Sequence, residues 1–213
     1  MWGKNMTISN IRIKTEGYVF CRSSFYTAQD SLSNASCYSF SQGINRLVGE
    51  IDSGNWAISY LLSMYKHCPD DFILFEQPSA VVNGKCVSID ELTDFSCYMD
   101  KSDPLFSAAA SIKELVTHGL NHSKLNCSCD DIKNLFHLDG ERFERSVNGV
   151  GNEIFKAMAA IGFSYGKEVF CFPWLSNQRF ESYHENLTSL LQTLESLGKI
   201  VVLPLGIPLP KTK

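Results

Sequence analysis

The feature that most constrains the fold is a strand that leads, through a loop bounded by glycines, into a helix. Residues 44–48 are predicted to form the strand, and residues 55–65 carry apolar side chains on one broad helical face. Gly49 and Gly54 bound the loop between them. A phosphate-binding loop needs glycines because successive backbone N–H groups must turn toward the anion, and the helix that follows adds its dipole. The segment therefore predicts the scaffold of a phosphate-binding loop.

Two side chains at the start of the helix differ from those that phosphate chemistry uses. The motif Gly-x4-Gly-Lys-Ser/Thr uses its lysine on the terminal phosphates and its hydroxyl to hold magnesium. Asn55 occupies the lysine position and Trp56 the hydroxyl position, where the indole is expected to fill the mouth of the loop or to pack inward. Because loops of this length also occur in ordinary strand-to-helix turns, the motif alone leaves both interpretations open.

Strand and helix patterns alternate along the chain. Residues 7–14 alternate apolar and polar side chains, which is typical of a half-buried strand. The other predicted segments are strands at 17–21, 36–40, 71–75, 80–82, 86–89, 95–99, 169–172 and 200–203, and helices at 111–136, 151–162 and 186–197. Residues 71–75 and 80–82 are expected to pair as a hairpin, and Asn83-Gly84 predicts a tight turn before the next strand. The end of the chain from Pro204 is rich in proline, so it is expected to join no central strand.

Composition and charge exclude several classes of protein. The formal net charge of −4 argues against a nucleic-acid binder with a broad basic surface, and 14 Phe, 8 Tyr and 3 Trp supply a core that a disordered chain lacks. No apolar run reaches the about 18 residues of a membrane span, and residues 1–15 lack the pattern of a signal peptide. A cytoplasmic protein is therefore predicted, with its eight cysteines reduced and most of them buried.

A resemblance to a known family extends over nearly the whole chain. Residues 47–54, Leu-Val-Gly-Glu-Ile-Asp-Ser-Gly, resemble the Walker A segment of ATP-binding cassette (ABC) ATPases. The other motifs that resemble this family are the strand and hairpin on either side of Walker A (37–43 and 82–85), the strand into the Q-loop (97–106), the signature motif (148–153), Walker B with the D-loop (167–176) and the strand before the switch histidine (198–203). The resemblance implies an α/β, P-loop NTPase-like fold in a single domain, residues 1–213. It would contain a mixed sheet flanked by helices, a small antiparallel β subdomain and a helical lobe at 103–145.

At several positions, this chain carries residues other than those that the family uses to hydrolyse ATP. Phe172 and Pro173 occupy the positions of the Walker B aspartate, which helps to hold magnesium, and of the glutamate, which orients or deprotonates water. Asp100 occupies the glutamine position of the Q-loop, and the switch-histidine position falls near Pro204 or Leu205. Phosphoryl transfer depends on charged groups at fixed positions. Because these positions depart from the family's pattern, the comparison with the family implies no catalytic residues and little or no ATP hydrolysis by this chain alone.

The resemblance still allows weak ATP binding, with no other cofactor and no metal. The residues that would form the nucleotide site are Gly49, Ser53, Gly54, Asn55, Trp56 and Tyr26. This family stacks adenine on an aromatic residue upstream of Walker A, and the resemblance would give that part to Tyr26 or to Phe25 beside it. The alternative is that both aromatic side chains pack within the antiparallel sheet.

The function that the resemblance implies is that of a catalytically degenerate ABC-type nucleotide-binding subunit. Such a subunit would act through association with an active ABC-type ATPase, a membrane permease or an assembly partner, or as a homodimer. It would bind no nucleic acid and would not insert into the membrane. Its expected location is the cytoplasm, with contact at the inner face of the membrane through a partner. The alternative function is that of an ATP-binding energy-coupling subunit of an ABC transporter with atypical active-site residues.

Three further expectations concern side chains elsewhere. His118 and His122, four residues apart on a predicted helix, could form a zinc site with Cys127 and Cys129. Because Gly119 is expected to interrupt that helix, the alternative is a pair of solvated histidines beside reduced cysteines.

Arg142 and Arg145 form a charged patch that is either a solvated face or a docking surface. At the end of strand 169–172, Phe172 and Trp174 are expected to pack over the loop around residues 54–56.

Overall fold

The computed structural model describes residues 7–15, 18–20, 36–49, 55–74, 79–106, 109–123 and 125–206. Its strands are β1 (Asn10–Thr15), β2 (Tyr18–Phe20), β3 (Ser36–Ser41), β4 (Gly43–Val48), β5 (Phe72–Leu74), β6 (Ser79–Val82), β7 (Lys85–Val87), β8 (Ser96–Tyr98), β9 (Val169–Cys171) and β10 (Ile200–Leu205). Its helices are α1 (Asn55–Met64), α2 (Ile89–Phe95), α3 (Ile112–His122), α4 (Cys129–Leu135), α5 (Gly140–Phe143), α6 (Ile154–Ser164), α7 (Asn177–Ser182) and α8 (His184–Ser196). Each predicted segment overlaps an element of the predicted type, and the α/β class is confirmed.

A parallel sheet lies at the centre of the described structure, with the strand order β4-β10-β9-β8. In its register Ile200 lies beside Gly43 on one side and Val169 on the other. β8 and β9 are buried along their whole length, as expected for parallel strands that are covered on both faces. Within the described residues, the strands of this sheet are all parallel rather than mixed, and the antiparallel strands lie in two further sheets.

Side chains along β9 and β10 alternate between two apolar cores on opposite faces of the sheet. Phe170 and Leu203 belong to a core with residues of α3, α6 and α8, here called the α6 core. Cys171 and Val202 belong to a core with residues of α1, α2 and the antiparallel strands, here called the α1 core. α1 therefore covers one face of the parallel sheet, and α6 and α8 cover the other.

This arrangement marks one end of the sheet as a ligand-binding position. The chain leaves β4 toward α1, whereas it enters β9 from α6 and β10 from α8, on the opposite face. β4 and β10 are neighbours, so the connections diverge between them. In open α/β sheets, ligands bind outside the carboxyl ends of the strands at such a point. The candidate ligand site is therefore the region beyond Val48 and Leu205, where the glycine-bounded loop begins.

The antiparallel sheet has the order β3-β1-β6-β7 and packs in the α1 core. Ile11 lies opposite both Phe40 and Val82, and all three side chains are buried. Asn83 and Gly84 join β6 to β7 with φ angles of 49° and 78°. Positive φ at both central residues is typical of a type I′ turn, so the predicted tight turn is confirmed.

The predicted hairpin between residues 71–75 and 80–82 is wrong. β5 pairs with β2 in a separate two-stranded sheet, whereas β6 pairs with β1 and β7. The pairing with β1 sets Ala80 opposite Ile13 and buries both side chains. Burial of apolar surface against a strand that is distant in sequence therefore outweighs proximity along the chain.

The expectation that the chain leaves the sheet at Pro204 is also wrong. Pro204 and Leu205 belong to β10, a central strand, and lie opposite Leu47 and Val48 of β4. The carbonyl oxygens of Val202 and Pro204 both accept hydrogen bonds from the β9 side, from the N–H groups of Phe172 and Leu175. Proline has no backbone N–H, and the nitrogen of Pro204 faces the segment that follows β9. The pairing of β9 with β10 has already ended at Cys171. The ladder loses no donor at this position, which is why proline is tolerated there.

Gly119 lies inside α3, which continues through it to His122, so the expected interruption of the helix is wrong. A Cβ at Gly119 would lie 2.2 Å from Ser164 Oγ and 2.6 Å from Tyr165 Cδ2. The glycine therefore permits close contact between α3 and the end of α6 rather than breaking the helix. Together α3, α4 and α5 occupy the region 103–145.

Two features of the described chain differ from simple expectation. α2 and α7 were not predicted, although Ser88 and Glu91 form a capping box at the start of α2. The seven described cysteines are all free thiols, as predicted, but Cys37 and Cys86 are exposed, whereas Cys97 and Cys171 are buried. Cys21 lies outside the described residues.

Candidate functional site

The candidate site lies where the carboxyl ends of β4, β10 and β9 meet. Gly49 N–H donates to Leu205 O at 2.9 Å, which joins the end of β4 to the end of β10. Leu175 N–H donates to Pro204 O at 3.0 Å, and Gly206 N–H donates to Leu175 O at 2.9 Å. These bonds hold the segments that follow the three strands side by side.

Trp174 joins the segment after β9 to the start of the glycine-bounded loop. Its Nε1–H donates to Gly49 O at 3.0 Å, and its half-buried ring packs against the α1 core. A Cβ at Gly206 would lie 3.3 Å from Trp174 Cζ2 and 3.5 Å from Ser176 Cα. The indole therefore contacts the residues immediately after both β4 and β10. Trp174 thus lies against the first residue of the loop, whereas contact was expected around residues 54–56, of which residue 54 lies outside the described residues.

Phe172 does not pack against the start of α1, so the expected contact around residues 54–56 is wrong for the part of that segment that the structure describes, residues 55 and 56. Its side chain is fully buried in the α6 core, where its ring lies 5.4 Å from that of Phe155. The alternation of side chains along β9 directs Phe170 and Phe172 to the face opposite α1. Its backbone still contacts α1, because Ser59 Oγ donates to Phe172 O at 2.5 Å. The chain then continues through a buried Pro173, so two apolar side chains follow directly after β9.

The start of α1 supplies no cationic side chain at the end of β4. Asn55 is the first helical residue and is half-buried. Trp56 is 2% exposed and packs inward in the α1 core, with its ring 6.3 Å from that of Tyr60. Of the two positions expected for Trp56, the structure shows the inward one. The α1 core continues from Tyr60, whose hydroxyl donates to Asp71 Oδ2 at 2.6 Å, and burial raises the pKa of Tyr60.

The predicted nucleotide residues fall into two groups. Gly49, Asn55 and Trp56 are described, and the structure brings Gly49 to the end of the sheet beside Trp174. Both backbone groups of Gly49 are engaged, the N–H with Leu205 O and the carbonyl with Trp174 Nε1. Ser53, Gly54 and Tyr26 lie outside the described residues. The sequence analysis missed the contact of Trp174 with the glycine, because the pairing joins segments 125 residues apart.

The segment after β8, which resembles the Q-loop, is a closed turn. Asp100 Oδ1 accepts a hydrogen bond from Ser102 N–H at 3.0 Å. Asp103 is buried, and its carboxylate accepts hydrogen bonds from Tyr98 N–H at 2.7 Å and from Leu105 N–H at 2.9 Å. Burial raises the pKa of Asp103, although the hydrogen bonds from Leu105 and Tyr98 oppose the rise. Asp103 is a second residue that sequence analysis missed, and the preference of aspartate for turns was its only local signal.

The segment that resembles the signature motif forms two 3₁₀ turns, Val147–Gly149 and Gly151–Glu153, at the start of α6. Arg142 Nη1 lies 3.0 Å from Glu153 Oε1, and Arg145 Nη2 lies 3.7 Å from Glu141 Oε2. Both arginines of the predicted patch therefore have carboxylate partners, and one of them ties α5 to the start of α6.

The structure does not bring the two histidines and the two cysteines together. Cys129 Sγ lies 3.6 Å from Thr117 Oγ1 and 3.9 Å from Lys113 O. Successive residues of an α-helix are about 100° apart around its axis, so Thr117 and His118 point in different directions. Among the described residues, no group of three or more His, Cys, Asp or Glu side chains has the arrangement of a metal site. The four-ligand zinc site is therefore not formed in this part of the chain.

None of the helices in the described ranges combines the length and the apolar character that a membrane crossing requires.

Comparison with known proteins gives matches in structure only. No protein-family model and no curated protein sequence matches this chain. An ABC transporter ATP-binding protein from Pyrococcus furiosus, described as putative, has a TM-score of 0.60 at 11% identity over 94% of both chains. A dimeric ATP-binding cassette, captured after hydrolysis with ADP and phosphate bound, has a TM-score of 0.59 at 10% identity over 92% of this chain and 88% of its own.

A third similar structure belongs to a larger protein. It is a bacterial Atm1-family ABC exporter with ATP bound, with a TM-score of 0.55 at 9% identity over 95% of this chain. This chain spans 35% of the length of that exporter. At such low identities the likeness extends to the fold alone. Over most of its length, this chain has the fold of the ATP-binding domains of ABC transporters.

Proposed function

We propose that this chain is an ABC-type nucleotide-binding subunit that hydrolyses little or no ATP by itself and acts by associating with a partner. The observation that carries the proposal is the apolar carboxyl end of β9, where Phe172 and Pro173 are both buried. By the resemblance to ABC ATPases, these two residues stand at the Walker B acidic positions. Neither side chain binds a metal or transfers a proton. Phosphoryl transfer depends on such placed groups, and the loss of one typically lowers the rate by orders of magnitude.

The contact between Trp174 and Gly49 supports the same proposal. The indole donates to the carbonyl of the first loop residue, and the amide of that residue donates to β10. The backbone of Gly49 is therefore committed to the sheet and to Trp174. The half-buried indole beside Gly49 also offers no oxygen ligand of the kind that magnesium prefers.

Nucleotide binding, where it occurs, is proposed to be weak. The N-terminus of α1 offers its dipole to an anion, but Asn55 is neutral and Trp56 is buried in the α1 core. The residues proposed for the site are Gly49, where the loop begins, with Ser53, Gly54, Asn55 and Trp56 after it, and Tyr26 against the adenine. No lysine stands at the lysine position of the motif, so the terminal phosphates lack their cationic partner.

Association is proposed as the mode of action. One structurally similar protein is a dimer and another is an exporter. We propose that this chain is a single domain, residues 1–213 with a helical subdomain at about 103–145, which pairs with an active ABC-type ATPase, a permease, an assembly partner or a second copy of itself. It would be located in the cytoplasm, at the inner face of the membrane where a permease is the partner.

The test is magnesium-dependent phosphate release by the dialysed full chain, with an intact ABC ATPase as the positive control for the assay. We expect no turnover above that of the Gly54→Asp variant, in which a carboxylate would occupy the loop. Turnover by the unmodified chain that Gly54→Asp abolishes would contradict the proposal. It would favour an energy-coupling ATPase with atypical active-site residues.

Association is tested separately by purification of the tagged full chain from its own cells, followed by mass spectrometry. We expect an ABC-type ATPase or a permease to co-purify in a fixed ratio, or the chain to elute as a homodimer. A monomer without any such partner would contradict the proposed mode of action.

A further inference from the structure

The two histidines near the end of α3 form a pair that is separate from the candidate nucleotide site. Their rings are stacked, with centroids 4.1 Å apart and an interplanar angle of 28°. Both side chains are exposed. His118 and His122 are four residues apart, so they lie on the same face of the helix, one turn from each other.

A hydrogen bond fixes the tautomer of His122. Its Nδ1 lies 2.7 Å from His118 O, and a carbonyl oxygen only accepts hydrogen bonds. In the neutral ring, Nδ1 therefore carries the proton and Nε2 carries the lone pair. This is the arrangement found in metal-binding histidines, which donate the second ring N–H to a carbonyl or another acceptor.

His118 is held in a similar way by Tyr165. Its Nδ1 lies 2.6 Å from the Tyr165 hydroxyl, and the two rings are 5.6 Å apart. The Tyr165 hydroxyl can accept from Nδ1–H, which leaves the lone pair of the neutral ring on Nε2. The close contact at Gly119 brings this tyrosine against α3. With Nδ1 engaged in both rings, the two Nε2 atoms remain for a ligand.

We propose that His118 and His122 form a surface binding site for a divalent transition metal of the Zn²⁺, Ni²⁺ and Cu²⁺ class. The two Nε2 atoms would supply two ligands, and water molecules would complete the coordination. Imidazole suits these ions, and pairs of histidines at this spacing on one helix face bind zinc in proteins. Because only two protein ligands take part, the metal would exchange readily. Cys129 is excluded from the site, since it packs beside Lys113 and Thr117 on another side of the helix.

The test is binding of Ni²⁺ to the untagged full chain, measured by calorimetry and by retention on a column of chelated Ni²⁺. We expect one Ni²⁺ per chain, and at least about tenfold weaker binding in His118→Ala and in His122→Ala, since loss of an outer-shell partner alone commonly costs 10- to 100-fold.

Two controls separate this site from other ligands. His137→Asn removes another exposed histidine, and the double variant Cys127→Ser/Cys129→Ser removes the two thiols that the sequence offered as zinc ligands. Both should bind Ni²⁺ as tightly as the unmodified chain.

Stability supplies a second readout, because a ligand that binds only the folded state raises the melting temperature. We expect Ni²⁺ to raise the melting temperature of the unmodified chain and of both controls, but not that of either histidine variant. Melting without metal checks that the variants fold. Undiminished binding in the two histidine variants, binding that depends on the thiols, or no binding by the unmodified chain would each overturn the proposal.

Discussion

At the scale of single residues, Gly119 is the described glycine at which an added methyl group would meet the closest contact. A Cβ there would lie 2.2 Å from Ser164 Oγ and 2.9 Å from the backbone carbon of Ser164. Backbone cannot move aside as a flexible side chain does, so α3 and α6 would have to separate. We predict that Gly119→Ala lowers the free energy of unfolding by about 1–3 kcal/mol.

Gly140 provides the matched control for this substitution. A Cβ at Gly140, the first residue of α5, would meet nothing within 4 Å. Gly140→Ala should leave stability unchanged or raise it, because alanine loses less backbone entropy on folding. The measurement is the free energy of unfolding of the two variants in urea. Equal changes in that free energy would contradict the close contact described at Gly119.

Phe172 tests the apolar end of β9. Its ring is fully buried in the α6 core, and no cation is described beside it. We predict that Phe172→Asp destabilises the fold by several kcal/mol, since a buried charge without a partner is strongly penalised. Phe172→Leu should cost about 1.5 kcal/mol or less. Thermal melting compares them, and a Phe172→Asp variant as stable as Phe172→Leu would show that the side chain reaches solvent.

At the scale of secondary-structure elements, capping boxes begin α3 and α4. The hydroxyls of Ser111 and Ser128 accept hydrogen bonds from the N–H groups of Glu114 and Asp131, whose carboxylates bond back to the serine N–H groups. The bonds from Ser111 lower the pKa of Glu114 below 4.5, and those from Ser128 lower the pKa of Asp131 below 3.8. Each box is therefore strongest when its carboxylate is ionised.

These shifts predict the sign of a pH dependence. A carboxyl whose pKa is lower in the folded state contributes stability above its unfolded pKa and loses it as the pH falls through the folded value. Between about pH 5 and about pH 2.5, the urea midpoint of the unmodified chain should fall more than that of Glu114→Gln/Asp131→Asn. Glu181→Gln, which changes an exposed carboxylate outside both boxes, should keep the full pH dependence. An unchanged slope in the double variant would contradict the account.

The elements also show what local sequence could predict and what it could not. Residues 7–14, 55–65 and 186–197 carry clear periodicity, and each overlaps an element of the predicted type. α2 was missed because its seven residues are too few for a periodic signal, although its capping box was visible in Ser88 and Glu91. The pairing of β6 with β1 depends on residues about 70 positions apart, so no local pattern contains it.

The candidate site likewise contains features that the sequence could predict and features that it could not. The glycine-bounded loop and the apolar end of β9 could be predicted from sequence, because each is a run of adjacent residues. The contact of Trp174 with Gly49 and the tolerance of Pro204 could not, because both depend on which strands are neighbours. The opposite orientation of Phe172 follows from the alternation along β9, once the burial of both faces is known.

At the scale of the whole molecule, two cores enclose one parallel sheet, and the chain's connections diverge at the carboxyl ends of β4 and β10. This is the architecture of ABC ATP-binding domains, reached at 9–11% identity to the similar structures. The general position of the site is a property of the topology. The side chains around the site are specific to this chain. At the positions on which the proposed function depends, they are the uncharged residues Asn55, Trp56, Phe172 and Pro173.

The central claim is that this fold is kept while tight binding of magnesium and ATP is lost. The most direct measurement is calorimetric titration of the dialysed, unmodified chain with ATP in the presence of magnesium. We predict no saturation below about 1 mM, which corresponds to a binding free energy weaker than about −4.1 kcal/mol. Saturable magnesium-dependent binding with a Kd in the micromolar range would show an open, competent site and would contradict the account.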